Sequence, residues 1–158
     1  MTRRPCGAFR AVSEALSRCQ CLAGGERLRA RGLAGALHLY ARAQHWSLIS
    51  SPYALNEVLR NLAKLPPAAT TDWLRLRPQL AVVDDIVALG LPVVFAASKD
   101  RPILFTALAW SDVLLTLDKA DFADVLGRRF YGLAVLPPYG FLKRERAAGR
   151  LPAEEPAP

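Results

Sequence analysis

The sequence predicts an α/β fold around a mainly parallel sheet, and three observations carry that prediction. Short apolar, β-branched segments alternate with segments of 3.6-residue apolar spacing, the pattern of strands joined by helices. Asp112-Val-Leu-Leu-Thr116 is a continuous apolar run, as a parallel strand covered on both faces requires. Prolines stand at the borders of these segments, at Pro52, Pro66-Pro67, Pro78 and Pro137-Pro138, where they interrupt no hydrogen-bond ladder.

Residues 1–31 are rich in Arg, Ala, Gly and Cys, are broken by Gly24-Gly25, and carry neither strand alternation nor a helical apolar stripe. Residues 33–45 read as a helix with Leu33, Ala36, Leu37, Tyr40 and Ala41 on one face. Trp46-Ser-Leu-Ile-Ser50 is a strand, and Ser51 caps a helix whose first residue is Pro52. Leu55, Val58, Leu59 and Leu62 give that helix its spacing, and it ends before Pro66-Pro67. Thr70 or Thr71 is expected to cap a second helix through Trp73 and Leu74 to about Arg77, stopped by Pro78.

Leu80–Asp84 is the next strand candidate, and Asp85 to Gly90 a connector. Leu91–Phe95 is apolar, but Pro92 argues against a central strand. Ser98-Lys-Asp-Arg-Pro-Ile-Leu opens a helix to about Trp110, and the apolar run at Asp112–Thr116 follows. A short helix is expected from Ala120 to Leu126, and a last strand from Leu133 to Pro137. Residues 143–158, charged and then Pro/Ala/Glu-rich, are expected to fray. The chain therefore divides into an atypical basic segment (1–31), an α/β domain (32–142) and a tail (143–158), with no internal repeat.

A chain of 158 residues, 52% apolar and 22% charged, is one domain's worth and can bury a core without metal or disulfide staples. The apolar fraction excludes a chain disordered throughout. No run reaches the roughly 18 apolar residues of a membrane span, and the start leads into no apolar h-region, so neither a membrane nor a secretory route is expected. Three cysteines, an odd count, point to a reducing compartment and so to the cytoplasm. The net charge of +7 is unevenly placed: residues 1–45 carry eight arginines against Glu14 and Glu26, and the rest is nearly balanced. Such an excess gives a weak attraction for nucleic acid or an acidic partner, without specificity.

In parallel α/β sheets the functional site lies at the carboxyl ends of the strands. Several acids fall there in the chain order: Glu57 on the helix after the Trp46–Ser50 strand, Asp100 at the opening of the helix to Trp110, and Asp118 and Asp121 after the Asp112–Thr116 run. Converging carboxylates repel unless a cation sits between them, and hard oxygen donors suit Mg²⁺ or Mn²⁺. Such a site can activate water for attack on a phosphodiester. The competing reading of the same residues is structural: Asp100 as a helix-opening acid, Asp118 and Asp121 as turn caps, Glu57 as a solvated helix residue.

Three segments, Ser51-Pro-Tyr-Ala-Leu-Asn-Glu57-Val-Leu-Arg-Asn-Leu62, Lys99-Asp100-Arg-Pro-Ile-Leu, and Leu114-Leu-Thr116-Leu-Asp118-Lys-Ala-Asp121-Phe122, together resemble a PIN-domain protein over roughly residues 33–142. The resemblance implies a three-layer α/β/α sandwich and Mg²⁺- or Mn²⁺-dependent endoribonuclease activity on single-stranded or structured RNA. It also implies, for many small members, a toxin with an antitoxin partner; a homodimer is a separate expectation for the chain. Carried over by position, Glu57 matches the family's helix glutamate, Asp100 the acid opening the next functional helix, and Asp118 the acid of the Thr-x-Asp strand end. Thr116 stands beside Asp118 to orient a carboxylate or water, and Asp121 is an auxiliary acid.

One feature of the family is missing. Its first strand is apolar and ends in an aspartate, which falls near residues 12–22 here. That window reads Val12-Ser-Glu-Ala-Leu-Ser-Arg-Cys-Gln-Cys-Leu22, and Glu14 is its nearest acid. The sheet is therefore expected to be incomplete at its N-terminal strand. Residues 1–31 have the composition of GC-rich DNA translated in the wrong frame, and another frame is expected to encode the strand. The alternative function is then a catalytically inactive PIN-like domain serving as a binding or interaction module.

The remaining singled-out residues are read as structural. Cys19 and Cys21 lack the second pair of ligands a zinc site needs. His38 and His45, seven residues apart, read as helix-surface or helix-end residues rather than as acid–base catalysts. Arg128-Arg129 reads as a solvated pair within possible reach of phosphate, and Trp73 and Trp110 read as packing residues.

Overall fold

The computed structural model describes residues 10–13, 37, 40–64 and 67–153. Its described strands are β1 (Arg10–Ser13), β2 (Ser47–Ser50), β3 (Ala81–Val82), β4 (Val113–Leu115), β5 (Arg129–Phe130) and β6 (Leu133–Leu136). They form one sheet in the order β3-β2-β1-β4-β6-β5, parallel throughout except for the antiparallel β5 at one edge. The described helices are α1 (Pro52–Leu62), α2 (Pro67–Leu76), α3 (Arg101–Trp110) and α4 (Pro138–Ala147), with short 3₁₀ turns at Arg77–Gln79 and Ser98–Asp100.

The central strands alternate between two apolar cores. Val113 and Leu115 of β4, Ala134 of β6 and Leu48 of β2 enter one cluster with Val58 of α1, Trp73 and Leu76 of α2, and Phe141 and Leu142 of α4. Leu114, Val135 and Leu133, and Ile49 enter the other with Ile103, Leu104 and Ala107 of α3 and with Phe95, Phe122 and Val125. Successive strand residues point to opposite faces, so helices cover the sheet on both sides and the fold is mixed α/β. That double cover is why β4 reads as an unbroken apolar run. Leu37 and residues 40–43 are helical, with Leu37 and Ala41 buried in the first cluster, as the spacing of 33–45 predicts.

Ser51 caps α1 as expected, its Oγ accepting from the Ala54 N–H at 3.4 Å, with Pro52 in the first turn. Five expectations are corrected. The most consequential concerns the N-terminus: β1 occupies Arg10–Ser13 and pairs in parallel with both β2 and β4, so the sheet has a central strand. Four residues including an arginine give almost no apolar signal, yet a strand bonded on both sides is held mainly by its ladders and by context. Second, α2 begins at Pro67, not at Thr70 or Thr71, because proline at the first helical position sacrifices only an N–H that has no partner there. Third, only Ala81–Val82 of the Leu80–Asp84 segment is strand, and both residues are exposed at the sheet edge.

Fourth, residues 119–127 are turns rather than a helix. The Val125 N–H donates to the Phe122 carbonyl at 3.0 Å, and Gly127, at φ +79, ends the segment in a conformation that favours glycine. Fifth, the stretch expected to fray from 143 is helical as far as Ala147. The chain then reverses at Gly149 (φ +71) and buries Leu151 in the first cluster. Phe141 and Leu142 anchor α4 from within, and its terminal arginines suit the negative end of the helix dipole. Residues 154–158, like Cys19, Cys21, His38 and Glu14, lie outside the described residues. Among the described residues no helix is long and apolar enough to cross a membrane.

Candidate functional site

The strand order marks one place on the sheet. From β1 the chain proceeds to β2 and then β3 on one side, whereas β4 and β6 lie on the other. The order thus reverses between β1 and β4, and in open parallel sheets ligands bind in the crevice outside the carboxyl ends at such a switch point. The residue following β4 there is Thr116, and the residue following Ser13 of β1 in the sequence is Glu14.

Thr116 is buried and prolongs the β4–β6 pairing, its N–H donating to the Leu136 carbonyl at 3.1 Å. Its Oγ1 accepts from the Asp118 N–H at 3.0 Å, which fixes the backbone at the first acid. Asp118 Oδ1 accepts from the N–H groups of Ala120 (2.9 Å) and Asp121 (2.8 Å), so this carboxylate organises the turn that presents Asp121. Asp121 Oδ2 in turn pairs with Lys99 Nζ at 2.7 Å. Lys99 adjoins Asp100, which stands at the N-cap position of α3 and is 2% exposed. The Asp100 carboxylate makes no capping hydrogen bond to α3, but its place at the helix start is the one an acid favoured by the helix dipole would hold.

The start of α1 reaches the same cluster. The Tyr53 hydroxyl donates to the Lys99 carbonyl at 2.7 Å, and the Tyr53 N–H donates to both oxygens of Asp85, at 3.2 and 3.0 Å. Glu57 lies one helical turn beyond Tyr53, on the same side of α1, and pairs with Arg60 at 2.8 Å. The structure therefore connects Asp100, Asp118 and Asp121 through Lys99 and the 118–121 turn. Glu57 is attached to them through the helix that carries Tyr53.

Hard carboxylate donors suit Mg²⁺ or Mn²⁺ in kind. Among the described residues no three His, Cys, Asp or Glu side chains form a ready-made metal cage. In their present arrangement Asp121 and Glu57 face cations of the chain itself, Lys99 and Arg60. Sequence reasoning gave no role to Tyr53, Asp85 or Lys99. The signal for Asp85 was its place at the carboxyl end of a strand, in a segment read only as a connector.

The other singled-out residues have structural surroundings. His45 takes a left-handed backbone (φ 55) where the helical turn at 40–43 ends, and the Trp46 N–H donates to the Ala41 carbonyl at 2.8 Å. Arg128 and Arg129 are exposed, and Arg129 Nη1 donates to the Gly132 carbonyl at 3.3 Å. Trp73 packs in the first core and Trp110 against the second.

Among known proteins, no family model matches the chain, and neither a curated protein nor a solved structure matches it.

Proposed function

We propose that this chain is a PIN-like nuclease that cleaves RNA with the help of Mg²⁺ or Mn²⁺. The observation that carries the reading is the meeting of acids with topology. Asp118 and Asp121 follow β4 at the switch point, and the buried Asp100 is joined to them through Lys99. The central β1 supports the strand that the PIN resemblance lacked, and Glu14, which follows it in the sequence, is the first candidate to replace the missing aspartate. The double-covered sheet is in keeping with a three-layer PIN-like sandwich. A toxin paired with an antitoxin is the form of this reading that the resemblance favours.

Asp100, Asp118, Asp121 and Glu57 would hold the cation. When bound, it supplies neutralisation of phosphoryl charge and activation of a water molecule. Thr116 orients the Asp118 backbone, Asp118 positions Asp121 through its N–H, and Tyr53 ties α1 to the Lys99–Asp100 turn.

The test is cleavage of single-stranded RNA with Mn²⁺ or Mg²⁺ before and after Asp118→Asn. Asparagine keeps the side-chain oxygen that accepts from Ala120 and Asp121, so the turn survives while the charge is lost. Cleavage should fall by about 100-fold, the scale of removing one electrostatic stabiliser. Cleavage unchanged by the substitution removes these acids from the reaction.

A second reading has its own observation. Asp121 and Glu57 are already neutralised by Lys99 and Arg60, as they would be in a domain that binds a partner without catalysis. RNA retained by the protein but left intact under the same conditions favours that module.

A further inference from the structure

The ion pair between Lys99 and Asp121 engages one of the proposed cation ligands, and it is built unevenly. The root of the lysine is fixed: its carbonyl accepts from the Tyr53 hydroxyl at 2.7 Å, and the next residue's N–H closes a 3₁₀ turn onto the Ala97 carbonyl at 3.0 Å. Its ammonium, at the end of a flexible four-carbon stem, reaches Asp121 Oδ2 at 2.7 Å while the side chain remains 61% exposed. Tyr53 comes from α1, 46 residues away, so the anchoring is tertiary rather than local.

From this geometry we infer that the Lys99 ammonium is a resident, displaceable counter-cation. It neutralises Asp121 while the site is empty and swings out when a divalent cation enters. The inference rests on the metal-dependent reading above. Carboxylates gathered at one strand end repel each other without a cation between them, and a tethered ammonium relieves that repulsion without leaving the protein. An exposed pair is weak and screened by salt, which makes it easy to displace. A guanidinium fork gripping the same carboxylate would be harder to remove.

The experiment is calorimetric titration of Mn²⁺ into the full chain, into Lys99→Gln, and into the double variant Lys99→Gln/Asp121→Asn, with thermal unfolding as the check on folding. Glutamine keeps the length of the side chain and removes the charge. Lys99→Gln should bind Mn²⁺ about threefold to fivefold more tightly than the parent, the range set by losing one competing surface pair. The double variant should lose that gain. Equal or weaker binding by Lys99→Gln, when the parent binds Mn²⁺, overturns the role of Lys99 and leaves the metal site standing. Absence of binding by both parent and Lys99→Gln at millimolar Mn²⁺ overturns the role of Lys99 and the metal-dependent reading together.

Discussion

Asp100 and Glu145 are each 2% exposed, and the groups around them differ in kind. Glu145, near the end of α4, receives two hydrogen bonds from Arg150, Nε to Oε2 at 2.5 Å and Nη2 to Oε1 at 2.9 Å, with Arg144 Nε 3.5 Å away. Arg150 also donates its own N–H to the Glu145 carbonyl at 3.0 Å, so the pair closes the reversal that buries Leu151. Asp100 lies at the carboxyl side of the sheet, at a helix start that it does not cap, next to the lysine that pairs with Asp121. Both carboxylates are out of water. One completes a fold contact, and the other stands at the start of α3, beside the lysine that pairs with Asp121. Burial alone does not tell two acids apart; position in the topology and the identity of the partners have to be weighed with it.

The largest expected effect on that comparison is functional. Asp100→Asn should lower metal-dependent RNA cleavage by about 100-fold while the protein still unfolds cooperatively, since asparagine matches aspartate in size and shape. Glu145→Gln should do the reverse. It removes charge-assisted hydrogen bonds in the fold and should cost about 1–2 kcal/mol, reduced from the buried-pair range because Arg150 is half-exposed. A thermal melt should show this as a fall of about 3–6 °C, with cleavage unaffected. A large loss of stability in Asp100→Asn with cleavage intact would put Asp100 beside Glu145 among the fold contacts.

The same pair separates by pH. Hydrogen bonding to Arg150 holds the Glu145 carboxyl below its ordinary value of 4.5, against the opposing effect of burial. Its folded pKa is depressed, so its contribution is fully present above 4.5 and is lost as pH falls through the lower folded value. The stability difference between the parent and Glu145→Gln should therefore be constant from neutrality down to about pH 5 and shrink only below that. Urea melts of both proteins across this range measure it. A difference that already shrinks near pH 6 would mean that Arg150 does not hold the carboxylate.

How much of this was legible in the sequence follows the same physical division. β4, β6 and α1 were readable because each carries its own local signal: an apolar run at Val113–Leu115, another at Leu133–Leu136, and a Ser-Pro start at Ser51-Pro52. The positions of Asp100 at a helix start and of Asp118 and Asp121 after β4 were readable in the same way. β1 was not, since Arg10–Ser13 is held by ladders to β2 and β4 that are distant in the chain. The Lys99–Asp121 and Tyr53–Lys99 contacts were hidden for the same reason. The end of α4 misled because charge was read as fraying, when Glu145 and Arg150 spend their charges on each other.

The smallest expected effect concerns Asp85, an acid that belongs to neither side of the comparison as drawn. Its two oxygens accept from the Tyr53 N–H, one of the donors at the start of α1 that has no partner within the helix. It therefore acts as a second N-terminal cap, supplied from 32 residues away, beside the local cap of Ser51. Loss of one cap costs roughly 1 kcal/mol, and less where another remains. Asp85→Ala should lower stability by about 0.5–1 kcal/mol, read as a lower urea midpoint with an unchanged slope. The variant should also loosen the helix start that carries Tyr53 to the Lys99 carbonyl, without removing any proposed ligand. RNA cleavage should then fall by no more than a few-fold, far less than for Asp100→Asn. A loss of cleavage as large as that of Asp100→Asn would make Asp85 part of the site itself and redraw the boundary between the acids that build the fold and those that serve it.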